Sequence, residues 1–330
     1  MTLLQARHLR KIFPVRGSLF SEGAKVRAVD DVSLDIPDGE ILALVGESGS
    51  GKSTTGRLLL RLVEPTGGSI ALEGHSVDLG RPADLAYRKD VQIVFQDSRA
   101  SLNARRTIYQ ALRDPMLLHG LATRGDVRDR VARLLERVGL APAERFLDRY
   151  PSQFSGGQLQ RIGIARALSM QPKLIVADEP VSALDALVRA QILELVLSLR
   201  RTERVAFLFI THDLAVVRNI ADRVAVMYLG RIVEIGPVET IFARPAHPYT
   251  QALLAATPIP DPRRARERRR ILLGGEIPNP AAIPPGCRFH PRCPSAMPVC
   301  RTLDPLLASV GQGTEAACHL YPGSAPEAAG

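Results

Sequence analysis

Short runs of apolar residues alternate along the chain with segments in which apolar residues recur at helical spacing. The runs ILALV (41–45) and LIVA (174–177) predict buried strands, because they are too short for helices and end at glycine or at carboxylates. Helical spacing follows in residues 107–118, 126–140 and 159–168. Strands that alternate with helices predict an α/β fold with a mostly parallel sheet and crossover helices.

The first apolar run leads into a glycine-rich stretch, GESGSGKST (46–54), that fits the pattern G-x-x-x-x-G-K-[ST]. Glycines let successive backbone N–H groups face inward around phosphate oxygens, and the following helix adds its positive end. We expect Lys52 to reach the β- and γ-phosphates of a nucleotide and Ser53 to ligate Mg²⁺. The predicted nucleotide-binding residues are Gly46, Glu47, Ser48, Gly49, Ser50, Gly51, Lys52, Ser53 and Thr54.

The second apolar run ends in two carboxylates, Asp178 and Glu179. Beside a phosphate-binding loop, the first carboxylate is expected to hold Mg²⁺ through water and the second to polarise the attacking water. The two motifs together predict a nucleoside-triphosphate hydrolase that uses ATP and Mg²⁺.

A second stretch of small residues precedes another predicted helix. Ser155, Gly156 and Gly157 stand directly before the apolar positions of residues 159–168. A helix N-terminus with small residues is an anion site. Because the phosphate-binding loop is already complete, we expect this second site to need a partner.

The stretch FSGGQ (154–158) resembles the LSGGQ signature of the ATP-binding cassette (ABC) family, with Phe154 in place of leucine. The resemblance covers residues 3–255 and implies an α/β ABC-type P-loop ATPase domain over residues 1–255. That domain would contain a RecA-like, mostly parallel sheet, an antiparallel β subdomain and a helical subdomain at about residues 97–165. It would form a head-to-tail dimer.

The same resemblance implies the roles of further residues. Phe13 would stack on adenine, and Gln96 would contact Mg²⁺ and link the γ-phosphate region to a membrane partner. Asp185, in VSALD, would cross the dimer interface, and His212, in THD, would lie near the γ-phosphate. Glu179, His212 and Gln96 are thus the predicted catalytic residues. The stretch Ser155, Gly156, Gly157 and Gln158 would close on the partner's ATP.

Three further stretches resemble the ATPases of oligopeptide and dipeptide importers. They are QDSRASLNARRTI (96–108), RPAHPYTQALLAATPIPDP (244–262) and the tail with its PPGCRFHPRCP segment. SLNAR and PIPDP most resemble the second of the two ATPase subunits, which implies a heterodimer with a similar subunit; a homodimer is the alternative. Peptides are the expected cargo, and nickel complexes or sugars are alternatives.

The resemblance also implies a location and partners. The ATPase would lie at the cytoplasmic face of the membrane, bound to two integral membrane permease subunits and served indirectly by an extracytoplasmic binding protein. No apolar run approaches the roughly 18 residues that cross a bilayer. Any membrane role would therefore be through a partner.

The formal net charge is +9, and its densest run is RRARERRR (263–270). A basic chain can bind nucleic acid, so a soluble cassette ATPase associated with nucleic acid or ribosomes is the remote alternative. This run follows three prolines and has no aromatic residues between its arginines for stacking on bases, so a linker is the preferred interpretation. No nucleic-acid partner is expected.

All four cysteines, Cys287, Cys293, Cys300 and Cys318, lie in the proline-rich residues 256–330, separated by five, six and seventeen residues. The residues themselves leave unligated thiols, disulfides and a Cys₄ zinc site open, with His290 and His319 as substitute zinc ligands. The resemblance to the importer tail implies a [4Fe–4S] cluster on the four thiolates. We expect a linker and a small, loop-rich extension that lies outside the ATPase core and is held together by a bound metal.

Overall fold

The structure is a computed structural model, and it describes residues 1–14, 25–80, 84–257 and 278–324. The PIPDP stretch (258–262), the basic run 263–270 and most of the predicted linker lie outside the described residues.

The strands in chain order are β1 (Thr2–Pro14), β2 (Lys25–Pro37), β3 (Ile41–Val45), β4 (Gly67–Leu72), β5 (His75–Ser76), β6 (Val91–Val94), β7 (Leu174–Asp178), β8 (Ala206–Ile210), β9 (Arg223–Tyr228), β10 (Arg231–Pro237), β11 (Ala308–Gly311) and β12 (Thr314–Ala316). The α-helices are α1 (Lys52–Leu59), α2 (Leu85–Asp90), α3 (Ile108–Leu118), α4 (Val127–Arg137), α5 (Glu144–Leu147), α6 (Gly156–Leu168), α7 (Ala186–Glu203), α8 (Leu214–Ile220), α9 (Val238–Ala243) and α10 (Pro248–Ala256). Three short 3₁₀ turns lie at Pro151–Gln153, His290–Arg292 and Pro298–Arg301.

The central sheet has the strand order β11-β12-β10-β9-β3-β8-β7-β6. Its strands from β9 to β6 run parallel, and β10, β12 and β11 add antiparallel pairs at one edge. Every residue of β3 and β8 is buried, as expected for parallel strands covered on both faces. Both predicted strands and the mostly parallel sheet are confirmed.

A second, antiparallel sheet has the order β2-β1-β4-β5 and packs over one face of the central sheet. Leu4, Leu9 and Ile36 from this sheet are fully buried in one cluster with Leu42 and Leu58 of the central layer. The burial of these side chains stabilises the contact of the two sheets beside the loop between β3 and α1.

The segment between β6 and β7 is mostly helical. Leu112 of α3, Val131 of α4 and Ile162 of α6 are fully buried in a common apolar cluster. Phe154, in place of the leucine typical of the family, is 4% exposed, and its ring centroid lies 6.0 Å from that of Phe146. The Phe154 side chain therefore packs into the helical core.

The C-terminal part, residues 278–324, packs directly on the catalytic layer. Strand β12 pairs with β10, with Glu234 opposite Ala316 and Ile235 opposite Glu315. Phe289 is 1% exposed in a cluster with Tyr228 and Tyr249. The extension therefore packs on the catalytic layer, and its two strands continue the central sheet.

Within the described ranges, no helix combines the length and the apolar character that crossing a membrane requires.

Candidate active site

The loop between β3 and α1 follows a path that only glycine allows at two positions. Gly46 has φ 153° and Gly51 has φ 106°. A Cβ atom at Gly46 would lie 2.1 Å from the carbonyl oxygen of Met227, and one at Gly51 would lie 2.2 Å from that of Ala28. No side chain fits at such distances, so both glycines are needed for the curled loop in which N–H groups face a phosphate.

Lys52 lies inside this loop. Its Nζ donates to the carbonyl oxygens of Gly46 at 2.8 Å and Glu47 at 2.9 Å. Burial lowers the pKa of Lys52, and the carboxylates of Glu179 and Asp178 act in the opposite direction. The loop therefore presents a partly desolvated positive charge, which is suited to a triphosphate.

Ser53 and Asp178 meet at the start of α1. The Ser53 hydroxyl donates to Asp178 Oδ1 at 2.9 Å. Burial raises the pKa of Asp178, while the Ser53 hydrogen bond and the nearby Arg57 lower it. A hydroxyl and a carboxylate oxygen side by side are the hard oxygen ligands that Mg²⁺ prefers, so these residues fit the ion.

Glu179 is the centre of a polar cluster at the end of β7. Its φ of 47° is in the left-handed region, and its N–H donates to the carbonyl oxygen of Ile210 at 2.9 Å. His212 Nδ1 lies 3.1 Å from Glu179 Oε1, and Gln96 Nε2 donates to Glu179 Oε2 at 3.4 Å. The fold thus brings together the three predicted catalytic side chains from three separate segments.

The second anion site forms the N-terminus of α6. Gln158 N–H donates to Ser155 Oγ at 3.4 Å, and Ser155 N–H donates to Gln158 Oε1 at 3.1 Å, which together form a capping box. A Cβ atom at Gly157 would lie 2.4 Å from Val188 of α7, so glycine permits the close approach of the helices. Ser155 and Gly156 are exposed.

The two remaining predicted residues are at the surface. Asp185 caps α7, because its Oδ1 accepts from the Val188 N–H at 2.9 Å. Phe13, near the end of β1, is 38% exposed, and Lys11 Nζ lies 5.1 Å from its ring centroid. Both positions are open to a ligand or a partner.

Known proteins with the same organisation identify the family. A family model described as ABC transporter matches residues 29–182, and one described as Oligopeptide/dipeptide transporter, C-terminal region, matches residues 233–300. The oligopeptide transport ATP-binding protein AppF of Bacillus subtilis (strain 168) is 47% identical over 323 residues, which cover 97% of this chain and 98% of AppF. The chain belongs to the ATP-binding subunits of oligopeptide and dipeptide ABC transporters.

Two further comparisons agree with this membership. The dipeptide transport ATP-binding protein DppF of Haemophilus influenzae is 47% identical over 317 residues, which cover 96% of each chain. The ATP-binding cassette MJ0796, solved as a dimer in a post-hydrolysis state with ADP and Pi, has a TM-score of 0.62 and 28% identity. That match covers 72% of this chain and 99% of MJ0796. The α/β cassette fold is therefore confirmed.

Two residues at the phosphate loop of this ABC ATPase were missed by sequence reasoning. Tyr249 is fully buried, and its hydroxyl accepts from the Glu47 N–H at 2.9 Å. Arg292 forms an ion pair with the Glu47 carboxylate. Both residues lie in segments that the sequence marks, HPYT and GCRFHPRCP, but no local pattern there places a side chain at the phosphate loop.

The HPYT segment is fixed by a buried acid. Glu234, fully buried on β10, accepts from the N–H groups of Ala246 at 2.8 Å and His247 at 2.9 Å. His247 caps α10, since its Nδ1 accepts from the Tyr249 N–H at 3.0 Å. Burial lowers the pKa of His247 to about 3, so the ring stays neutral and keeps its acceptor. These bonds set the position of Tyr249 against the phosphate loop.

The predicted metal centre is not supported by the structure. The four cysteines are free thiols, and the described ranges contain no group of three or more His, Cys, Asp or Glu side chains placed to hold a metal ion. Burial raises the pKa of Cys287 to about 12, with smaller contributions from Cys300 and Cys318. His290 Nδ1 and His319 Nε2 lie 2.9 Å from the backbone carbonyl oxygens of Cys287 and Leu303. Cys300 and Cys318 are buried and Cys287 and Cys293 are half-buried, and the described ranges show no ligand arrangement for a [4Fe–4S] cluster or zinc.

Aromatic packing and buried ion pairs hold this extension in place. The Phe289 ring centroid lies 5.3 Å from that of Tyr228 and 5.4 Å from that of Tyr249. Arg288, with its side chain 6% exposed, donates to the Asp30 carboxylate and to the carbonyl oxygen of Leu229. The segment between Cys287 and Cys293 is therefore fastened to the catalytic domain by protein groups.

Proposed function

We propose that this chain is the ATP-hydrolysing subunit that energises peptide import through an ABC transporter. The observation that carries the proposal is the cluster of Ser53, Asp178, Glu179, Gln96 and His212 beside a complete phosphate loop. The chain's similarity along its whole length to AppF and DppF, which are named for oligopeptide and dipeptide transport, supports the peptide cargo. Nickel complexes or sugars are the alternative cargo.

The proposed roles follow from the contacts. The loop N–H groups and Lys52 bind the phosphates, and Ser53 with Asp178 holds Mg²⁺, which supplies charge neutralisation to the triphosphate. Glu179 accepts a proton from the attacking water. Gln96, which touches both Glu179 and Ser182, would help to orient that water and would be a further oxygen ligand for Mg²⁺. His212 lies near the γ-phosphate, and Phe13 stacks on the adenine.

The second anion site is proposed to act on the ATP of a partner subunit. Its support is the exposure of Ser155 and Gly156 at the N-terminus of a 13-residue helix and the exposed cap Asp185 of α7. MJ0796 also forms a dimer. We propose a head-to-tail dimer with a second, similar ATPase subunit, and a homodimer is the alternative.

Two integral membrane permease subunits are the proposed partners at the groove beside Gln96. This groove lies between the helical segment and the catalytic layer, and its lining includes Arg99, Gly156, Gln160 and Leu184. A short permease helix would fit there, which would place the ATPase at the cytoplasmic face of the membrane. An extracytoplasmic binding protein would deliver the peptide.

Co-purification from native membranes tests this function. The chain should bring down two polytopic membrane proteins, and ATP hydrolysis by that complex should rise when a peptide-loaded binding protein is added. The matched control is the same preparation carrying Glu179→Gln. Equal hydrolysis with and without the membrane partners would contradict the proposal.

A metal at Cys287, Cys293, Cys300 and Cys318 is retained as a separate proposal for the isolated chain. Its support is the confinement of all four thiols to one lobe and the electrostatic influence of Cys300 and Cys318 on Cys287. Binding would require the sulfur atoms to move together and lose their protons. Anaerobic purification should then give absorbance near 400 nm with iron and sulfide, or stoichiometric zinc. Protein free of both metals would reject it.

A further inference from the structure

The phosphate loop contains an acidic residue at its second position. Glu47 directly follows Gly46, and its carboxylate is close enough to raise the pKa of Lys52. A bare carboxylate beside a triphosphate would repel it, because like charges in a partly desolvated site interact strongly. A phosphate loop that contains Glu47 therefore needs a positive side chain to compensate the charge of this carboxylate.

That cation comes from the C-terminal extension, 245 residues further along the chain. Arg292 Nη1 lies 2.8 Å from Glu47 Oε2, and Nη2 lies 3.1 Å from Glu47 Oε1. This is a bidentate pair, the strongest geometry between guanidinium and carboxylate. The Arg292 side chain is 7% exposed, so solvent screens the pair only weakly.

The same aromatic cluster holds the backbone and the side chain of Glu47. The Arg292 guanidinium lies 5.9 Å from the ring centroid of Tyr228. Phe289, which directly precedes the 3₁₀ turn His290–Arg292, packs on both Tyr228 and Tyr249. Tyr249 in turn accepts the Glu47 N–H. The extension and the HPYT segment thus hold one loop residue from two directions.

We propose that Arg292 is a positioning residue for the nucleotide. By pairing with Glu47 it neutralises the carboxylate at the phosphate loop and fixes the loop. The C-terminal extension thereby sets the affinity of the phosphate loop for ATP. The inference rests on the proposed function, since it concerns the same phosphate loop. It gives the extension a role at the ATP site that requires no metal.

The decisive experiment compares ATP affinity among variants of the isolated full chain by titration calorimetry. Arg292→Gln exposes the Glu47 carboxylate to the triphosphate and should raise the Kd by about tenfold. Adding Glu47→Gln removes the repelling charge, so the double variant should return to within about threefold of the unaltered chain. Glu47→Gln alone completes the cycle and is the reference for the double variant, because Arg292→Gln should raise the Kd less than about threefold once the carboxylate is gone. The defect of Arg292→Gln should also shrink at 1 M salt.

A purely structural role for Arg292 predicts a different pattern. The double variant would then bind as weakly as Arg292→Gln, and that result would overturn the proposal. Arg301→Gln, an exposed arginine of the same lobe, is the matched control and should leave the Kd unchanged. If Arg292→Gln fails to fold, Arg292→Lys keeps the positive charge but loses the bidentate pair and should raise the Kd by no more than about threefold; a rise of about tenfold or more there would show that charge neutralisation does not set the affinity and would overturn the proposal.

The design separates this inference from the proposed function. An unaltered chain that bound no ATP would contradict both. An unaltered chain that binds ATP, together with an Arg292→Gln variant of equal affinity, would contradict the positioning role alone.

Discussion

Glu179 owes its position to a backbone conformation that few residues with a side chain adopt. Its left-handed φ turns the chain at the end of β7, and the bond from its N–H to Ile210 keeps it there. The side chain is then shared between His212 and Gln96. Such strain is tolerated where a side chain must be aimed, which favours a catalytic role.

Glu179→Gln tests that role at the residue scale. Glutamine keeps the shape and the contact with Gln96 but does not accept a proton from water, so hydrolysis should fall by at least about a hundredfold. ATP binding should persist, because Lys52 and the loop are untouched. Phosphate release and ATP titration on the same sample measure both. Hydrolysis at the parental rate would contradict the assignment.

The buried His247 should make the stability of the folded chain depend on pH. Its pKa is lowered to about 3 in the folded chain from an ordinary value of 6.5. Below pH 6.5 the unfolded chain therefore binds a proton that the folded chain does not, and stability is lost as the pH falls. Between pH 7.5 and 5.5 this loss should be about 1 kcal/mol.

The matched variant for this prediction is His247→Asn, which can still cap α10 but does not titrate. Urea unfolding at pH 7.5 and 5.5 should show a smaller loss of stability in the variant. Burial raises the pKa of the neighbouring Glu234, but that carboxyl is present in both proteins and cancels in the comparison. Equal losses in the two proteins would show that His247 is accessible to protons.

At the scale of elements, α6 has an N-terminus that its own chain leaves exposed. The capping box of Ser155 and Gln158 satisfies the first N–H groups, and the small residues keep the end open. Its position in the fold is set by contact with α7, where Gly157 permits the close approach of Val188. A partner's phosphate is the ligand that such an end accepts best.

Ser155→Arg should separate the two anion sites. The bulky side chain blocks the end of α6 and removes the cap, at a cost of about 1 kcal/mol in stability. ATP binding to the chain's own phosphate loop should stay unchanged, while ATP-dependent dimerisation is lost. Size-exclusion chromatography with ATP measures the dimer, with the Glu179→Gln chain run both alone and together with its partner ATPase subunit. Ser152→Arg, exposed three residues earlier, is the control. Loss of ATP binding by the monomer would contradict the trans role.

At the scale of the whole molecule, the parts found from the sequence share one property. The phosphate loop, the strands β3 and β7 and the helices α3, α4 and α6 have a local pattern of glycines, apolar runs or helical spacing. The pairing of β12 with β10 and of Arg292 with Glu47 joins distant segments and has no periodic signal. The cysteine spacing predicts a shared ligand set, but closeness along the chain does not fix where the sulfur atoms lie, and the described ranges show no group of metal ligands there.

The attachment of the extension to the sheet depends on Gly236 in β10. A Cβ atom there would lie 2.5 Å from Thr314 Oγ1 and 3.0 Å from Thr314 Cα, and the second contact is with the backbone of β12. Gly236→Ala should therefore force the strands apart and cost about 1–3 kcal/mol of stability. Hydrogen exchange should speed up in β12 and β11 and stay slow in β3 and β8. Gly125→Ala, at a position where an added Cβ meets only Thr123 Oγ1 at 3.8 Å, is the matched control. Unchanged exchange in β12 would mean that other contacts, such as those of Phe289, Arg288 and Arg292, hold the extension without this strand pairing.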